Sequence, residues 1–79
     1  MTDQLLKSVL GTRVRALRQA RGLTQEKLAE QLGVTPRYLA GTERGERNLT
    51  LDSVDALAEQ LGVPAITLLT RPVDPTHQS

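Results

Sequence analysis

The sequence contains no cysteine, tryptophan or phenylalanine, and Tyr38 is its single aromatic residue. Without cysteine there is neither a disulfide framework nor a thiolate metal site, so the core alone must hold the 79-residue chain, and secretion gains no support. No stretch approaches the roughly 18 to 20 apolar residues that a membrane span requires, and no basic segment followed by an apolar run opens the chain. The expectation is a soluble cytoplasmic protein with no membrane partner. Catalysis finds equally little. There is no glycine-rich phosphate loop and no metal-ligand pair, His77 stands alone, and Asp52, Asp55 and Glu59 read as the solvent face of a helix. No enzyme activity, metal, cofactor or small-molecule ligand is expected.

Leucine, valine, alanine and isoleucine supply most of the apolar residues, with fourteen Leu against one Ile, and this skew favours helices over strands. Net charge is only +1, but its placement is uneven. Residues 1–47 hold nine Lys and Arg against five Asp and Glu, whereas residues 48–79 hold one against four. Eight of the ten cations are arginine, whose planar fork suits phosphate and guanine. Nucleic acid is thus one candidate partner; an ordinary solvated basic half is the other reading.

Apolar spacing predicts five helices. Leu6, Leu10, Val14 and Leu17 form one stripe between Leu5 and Arg21, leaving Arg13, Arg15 and Arg21 in solvent, with Gly22 as the stop. Thr24 caps a second helix running to Leu32, with Leu28 and Ala29 inward and Gly33 at its end. Thr35 and Pro36 cap and open a third, which ends near Glu43 before a polar Arg44–Asn48 loop. Thr50 caps a fourth carrying Leu51, Val54, Leu57, Ala58 and Leu61, and Gly62 closes it. Pro64 opens a short fifth with Ile66, Leu68 and Leu69. One domain over residues 1–70 follows, with a disordered tail at 71–79.

Two short helices joined by a glycine-containing bend match the helix-turn-helix, in which the first member lies over the second and aims it outward. Leu28, Leu32, Val34 and Leu39 occupy the places that must be apolar, Ala29 is small where the helices touch, and Gly33 can take the positive φ of the turn. Through Leu23-Thr24-Gln25-Glu26-Lys27-Leu28-Ala29 and Gly33-Val34-Thr35, the sequence resembles the Xre-type, phage-repressor-like family of helix-turn-helix regulators, over residues 9–69. The run from Arg37 to Leu51 looks most like the controller proteins of restriction-modification systems. The resemblance implies an all-α, five-helix, lambda-repressor-like domain that binds double-stranded DNA at a palindromic operator as a homodimer. Plasmid, phage or antitoxin-type repressors share most of the pattern. A protein-interaction module that keeps the fold without DNA is the alternative from another class.

On this reading Thr35, Arg37, Tyr38 and Arg47 read bases, and Gln25, Gly41, Arg44 and Asn48 hold phosphates. Arg37 at the exposed start of helix three is suited to the O6 and N7 of guanine, against the alternative of a solvated helix arginine. Tyr38 is suited to a phosphate or a thymine methyl, or else to half-buried packing. Gly41 inside a short helix is explained by close approach of the backbone to DNA, or by simple tolerance. The resemblance also implies an ion pair between Arg18 and Glu43 and a dimer interface through Val63, Ile66, Leu68 and Leu69. Two departures from the family stand out: Thr42 replaces the usual Leu or Ile, and Pro36 replaces a polar base-reading residue.

Overall fold

Three threonines start three of the helices. Each places its hydroxyl oxygen where the backbone N–H three residues on would otherwise lack an acceptor: Thr24 accepts from Lys27, Thr35 from Tyr38 and Thr50 from Ser53. The computed structural model describes the backbone of residues 2–70 and the side chains of residues 6–70. The tail expected at residues 71–79, including His77, lies outside the described residues. Among the described residues the elements are α1 (Thr2–Ala20), α2 (Gln25–Leu32), α3 (Pro36–Glu43), α4 (Leu51–Leu61) and α5 (Ala65–Leu69), with no strand. None of these helices is long and apolar enough to cross a membrane. The first helix begins three residues earlier than its apolar stripe indicates.

The turn between α2 and α3 is local chemistry. Gly33 has φ 73°, the left-handed region that an L side chain adopts only at a cost, and this lets two amides turn back on the helix end. Gly33 N–H donates to the Glu30 carbonyl and Val34 N–H to that of Ala29, closing α2 in a Schellman motif. Pro36 then sits at the first position of α3, where its missing donor costs nothing. The chain passes from one helix to the next within four residues.

Packing follows the stripes. Leu10 and Val14 of α1, Leu28 and Ala29 of α2, Leu39 of α3, Val54, Leu57, Ala58 and Leu61 of α4, and Leu68 of α5 form one buried cluster. Each buried Leu or Val contributes about 1.5–3 kcal/mol relative to exposure. Helix α3 packs against α1 and α2, α5 against α1 and α4, and α4 also meets α2. Leu51 departs from the pattern: it lies on the inward stripe of α4 yet is 80% exposed. As the first residue of the helix it stands beyond the end of the core, in an open apolar groove with Leu6, Leu10, Val54 and Leu69.

Candidate nucleic-acid interface

Helix α3 is fixed to its neighbours along one side. Leu39 is buried between the helices, and Thr42 is equally buried despite its hydroxyl. That hydroxyl donates to the Tyr38 carbonyl at 3.0 Å, so the polar atom is satisfied within its own helix while the methyl packs. At its C-terminal end α3 is tied to α1 by a two-bond ion pair. Arg18 Nε donates to Glu43 Oε2 at 2.6 Å and Arg18 Nη2 to Glu43 Oε1 at 3.1 Å. The Arg18 Nη1 group donates to the Leu23 carbonyl at 2.7 Å, so the same guanidinium also holds the connection into α2. The expected structural pair is present.

Close approach of α1 to α3 depends on Gly11, which the sequence reading did not single out. A Cβ there would lie 2.6 Å from the backbone oxygens of both Thr42 and Glu43. A glycine interrupting a helical apolar stripe was the available signal, since it costs about 1 kcal/mol without such a reason.

The opposite side of α3 is open. Thr35, Pro36 and Arg37 are exposed at its start, Arg44 at its end, and Arg47 and Asn48 in the loop beyond. Thr35 already uses its oxygen to cap the helix, which leaves its hydroxyl proton as the donor it can offer. Tyr38 is half-buried and lines a groove with Leu32, Val34, Leu49 and Leu57. The loop is held by Gly45, with φ 76°, which allows Glu46 N–H to donate to the Gly41 carbonyl at 2.9 Å.

Arg44 Nη2 meets Glu46 Oε1 at 3.1 Å on the surface. This hydrogen bond and the neighbouring positive charge lower the Glu46 carboxyl below the usual carboxylate range and raise Arg44 further. A lowered carboxyl contributes stability above its unfolded range and loses it as pH falls through the lowered value. Both groups are fully exposed, so solvent screens the effect on folding. A phosphate would compete with Glu46 for Arg44.

Three assignments require correction, at Gly41, Leu68 and Arg13. Gly41 is buried and its neighbour is Arg47, whose Nε would stand 3.2 Å from a Cβ, so its backbone is not open to a phosphate. Gln25 is not overturned: its Nε2 donates one amide proton to Glu43 Oε1 at 3.0 Å, and the amide carries a second. Leu68 is 0% exposed, filled into the core between α1 and α4, and has no surface to offer a partner. Arg13 is not simply solvated: its Nε donates to the Thr67 carbonyl at 3.2 Å, joining α1 to α5. Arg21 is exposed as expected, and its guanidinium also donates to the Leu61 carbonyl at the end of α4. Both are long side chains on the flank of α1 that reach carbonyls of other helices.

A short helix held across a glycine turn from a second helix, whose outer side is polar, basic and uncovered, defines a helix-turn-helix protein. Residues 14–68 match the helix-turn-helix family HTH_3, and the chain belongs to that family, one of transcriptional regulators rather than enzymes. It is 41% identical over 66 residues to the control protein C.SmaI of Serratia marcescens, covering 84% of this chain and 79% of that one. The crystal structure of a hypothetical transcription factor from Neisseria superposes with TM-score 0.83 at 37% identity, covering 89% of this chain and 80% of that one. The restriction-modification controller C.Esp1396I, a tetramer in complex with its natural 35 base-pair operator, superposes with TM-score 0.71 at 32% identity, covering 80% of this chain and 83% of that one.

Proposed function

We propose that this chain is a sequence-specific DNA-binding regulator that acts as a homodimer on a palindromic operator, in the manner of a restriction-modification controller. The observation that carries the reading is the uncovered start of α3: Thr35 and Arg37 project from a helix whose other side is fixed by Leu39, Thr42 and the Arg18–Glu43 pair. Such a helix enters a major groove with its first turn against the base edges. Arg37 then reads guanine, Thr35 and Tyr38 contact neighbouring bases, and Arg44, Asn48 and the remaining amide proton of Gln25 hold phosphates that set register. A controller is preferred to a plasmid or phage repressor because C.SmaI and C.Esp1396I match this chain over 79% and 83% of their own lengths.

Dimerisation uses the apolar surface at the α5 end. Ile66 is 67% exposed, Leu69 and Val63 are half-buried, and Leu69 borders the open groove that contains Leu51 and Leu6. Burying these groups against a second copy removes apolar area from water, and a two-fold axis sets two α3 helices roughly one duplex turn, about 34 Å, apart. Because a dimer is the binding species, occupancy follows the protein's own concentration.

Selection of duplexes from a random pool, followed by salt titration, tests the reading. A recovered site with two-fold symmetry and an affinity falling linearly in log–log form with salt is expected. Arg37→Ala should narrow the ratio between that site and random duplex by about tenfold. Absence of any enriched duplex, or affinity indifferent to salt, refutes it.

A further inference from the structure

Beside α3 lies an arrangement that a helix-turn-helix does not require. Arg47, from the loop after the helix, folds back along it, with its guanidinium carbon 4.9 Å from the centroid of the Tyr38 ring. Its stem crosses Gly41, where a Cβ would meet Nε at 3.2 Å and Cγ at 3.4 Å. Glycine is disfavoured inside a helix, and Gly41 does not have the positive φ that explains four other glycines of this chain. Conformational freedom is therefore not its purpose; room is.

We infer that Gly41 and Tyr38 are positioning residues, forming a seat that holds Arg47 against the recognition helix as a second fixed base reader beside Arg37. The inference rests on the DNA-binding reading above. A guanidinium attracted to a ring through its face keeps its N–H donors at its rim, where a base edge can accept them. A side chain ordered before binding also gives up less rotamer freedom when the complex forms. An unseated loop arginine would act only as a mobile countercharge to phosphate, with no preference among sequences.

The test uses the full chain and the duplex recovered by random-pool selection. In Gly41→Ala the nearest atoms the added methyl meets all belong to the flexible, exposed Arg47 side chain, so α3 keeps its fold and Arg47 must shift. NMR of the free protein should show Arg47 side-chain protons shifted by the Tyr38 ring, with the shift lost in Gly41→Ala and Tyr38→Leu and retained in Tyr38→Phe. The ratio of affinity for the selected duplex over random duplex should fall about tenfold in Arg47→Ala. It should fall severalfold in Gly41→Ala and in Tyr38→Leu. In an Arg47→Ala background, Gly41→Ala should have no further effect, because both act through one side chain. Unmoved Arg47 resonances in Gly41→Ala, or an equal loss of specificity with and without Arg47, overturns the seat. If the parent selects a salt-sensitive duplex but Arg47→Ala matches its ratio, the seat fails while the DNA reading stands; if the parent enriches no duplex, both fail.

Discussion

Glu43 gathers three donors on one carboxylate: Nε and Nη2 of Arg18 and Nε2 of Gln25. Its side chain is 3% exposed and that of Arg18 is 11%, so neither charge has water to fall back on. Among the described residues no buried side-chain polar atom lacks a hydrogen-bond partner, which is the condition under which a buried pair is tolerated. Three helices meet at this point, since Arg18 belongs to α1, Gln25 to α2 and Glu43 to α3. Glu43→Ala should therefore lower folding stability by about 3 kcal/mol, seen as a lower urea midpoint with an unchanged slope. Replacing both members by apolar residues, Arg18→Met with Glu43→Leu, should recover much of that loss. A single mutant within about 0.5 kcal/mol of the parent would show that water reaches the pair.

At the scale of the elements, what matters is how closely two helix backbones approach. Helix α1 crosses α3 at Gly11, and the oxygens a side chain there would strike belong to the backbone of α3, which cannot step aside as a side chain can. Gly11→Ala should prise the helices apart and cost about 1–3 kcal/mol of overpacking, against a helix-propensity gain of about 1 kcal/mol. Its melting temperature should fall, and α3 should sit at an altered angle, so duplex affinity should fall with it. A melting temperature at or above the parent's would mean that the α1–α3 crossing has slack. Gly41→Ala is the contrasting case within α3: there the same added methyl meets the flexible Arg47 side chain, so its consequence belongs to recognition and not to folding.

For the whole molecule, the decisive feature is how apolar surface is distributed around a small core. Ile66 and Leu51 are strongly exposed, Leu6 is exposed less fully, and none of the five helices covers them. Ile66→Asp places a charge at the proposed two-fold contact without entering the core, so sedimentation should shift toward monomer while the circular dichroism of the helices is retained. Duplex affinity should drop sharply, because two half-sites are no longer engaged together. A variant that remains dimeric at the parent's concentration range would place the interface on another face.

Much of this architecture was legible before any tertiary contact was known. The caps at Thr24, Thr35 and Thr50, the left-handed Gly33 and the proline opening α3 depend on residues within four positions of one another, and so do the apolar stripes that mark the helices. The exposed start of α3 was legible for the same reason, since Thr35 and Arg37 fall off the Leu39 side of a helix. Periodicity, however, reports which side of a helix is apolar and not how far its neighbours reach. It therefore placed Leu51 inward, where the core has already ended, and Leu68 at a partner surface, where the core is still continuous. Long arginines and small glycines resist sequence reading for a related reason. Arg13, Arg21 and Arg47 take whatever acceptor or ring lies within their reach, and Gly11 and Gly41 are explained only by the atoms beside them. Local chain chemistry decides the helices and their turns; distances between residues remote in sequence, which only folding brings together, decide which side chains remain to face DNA.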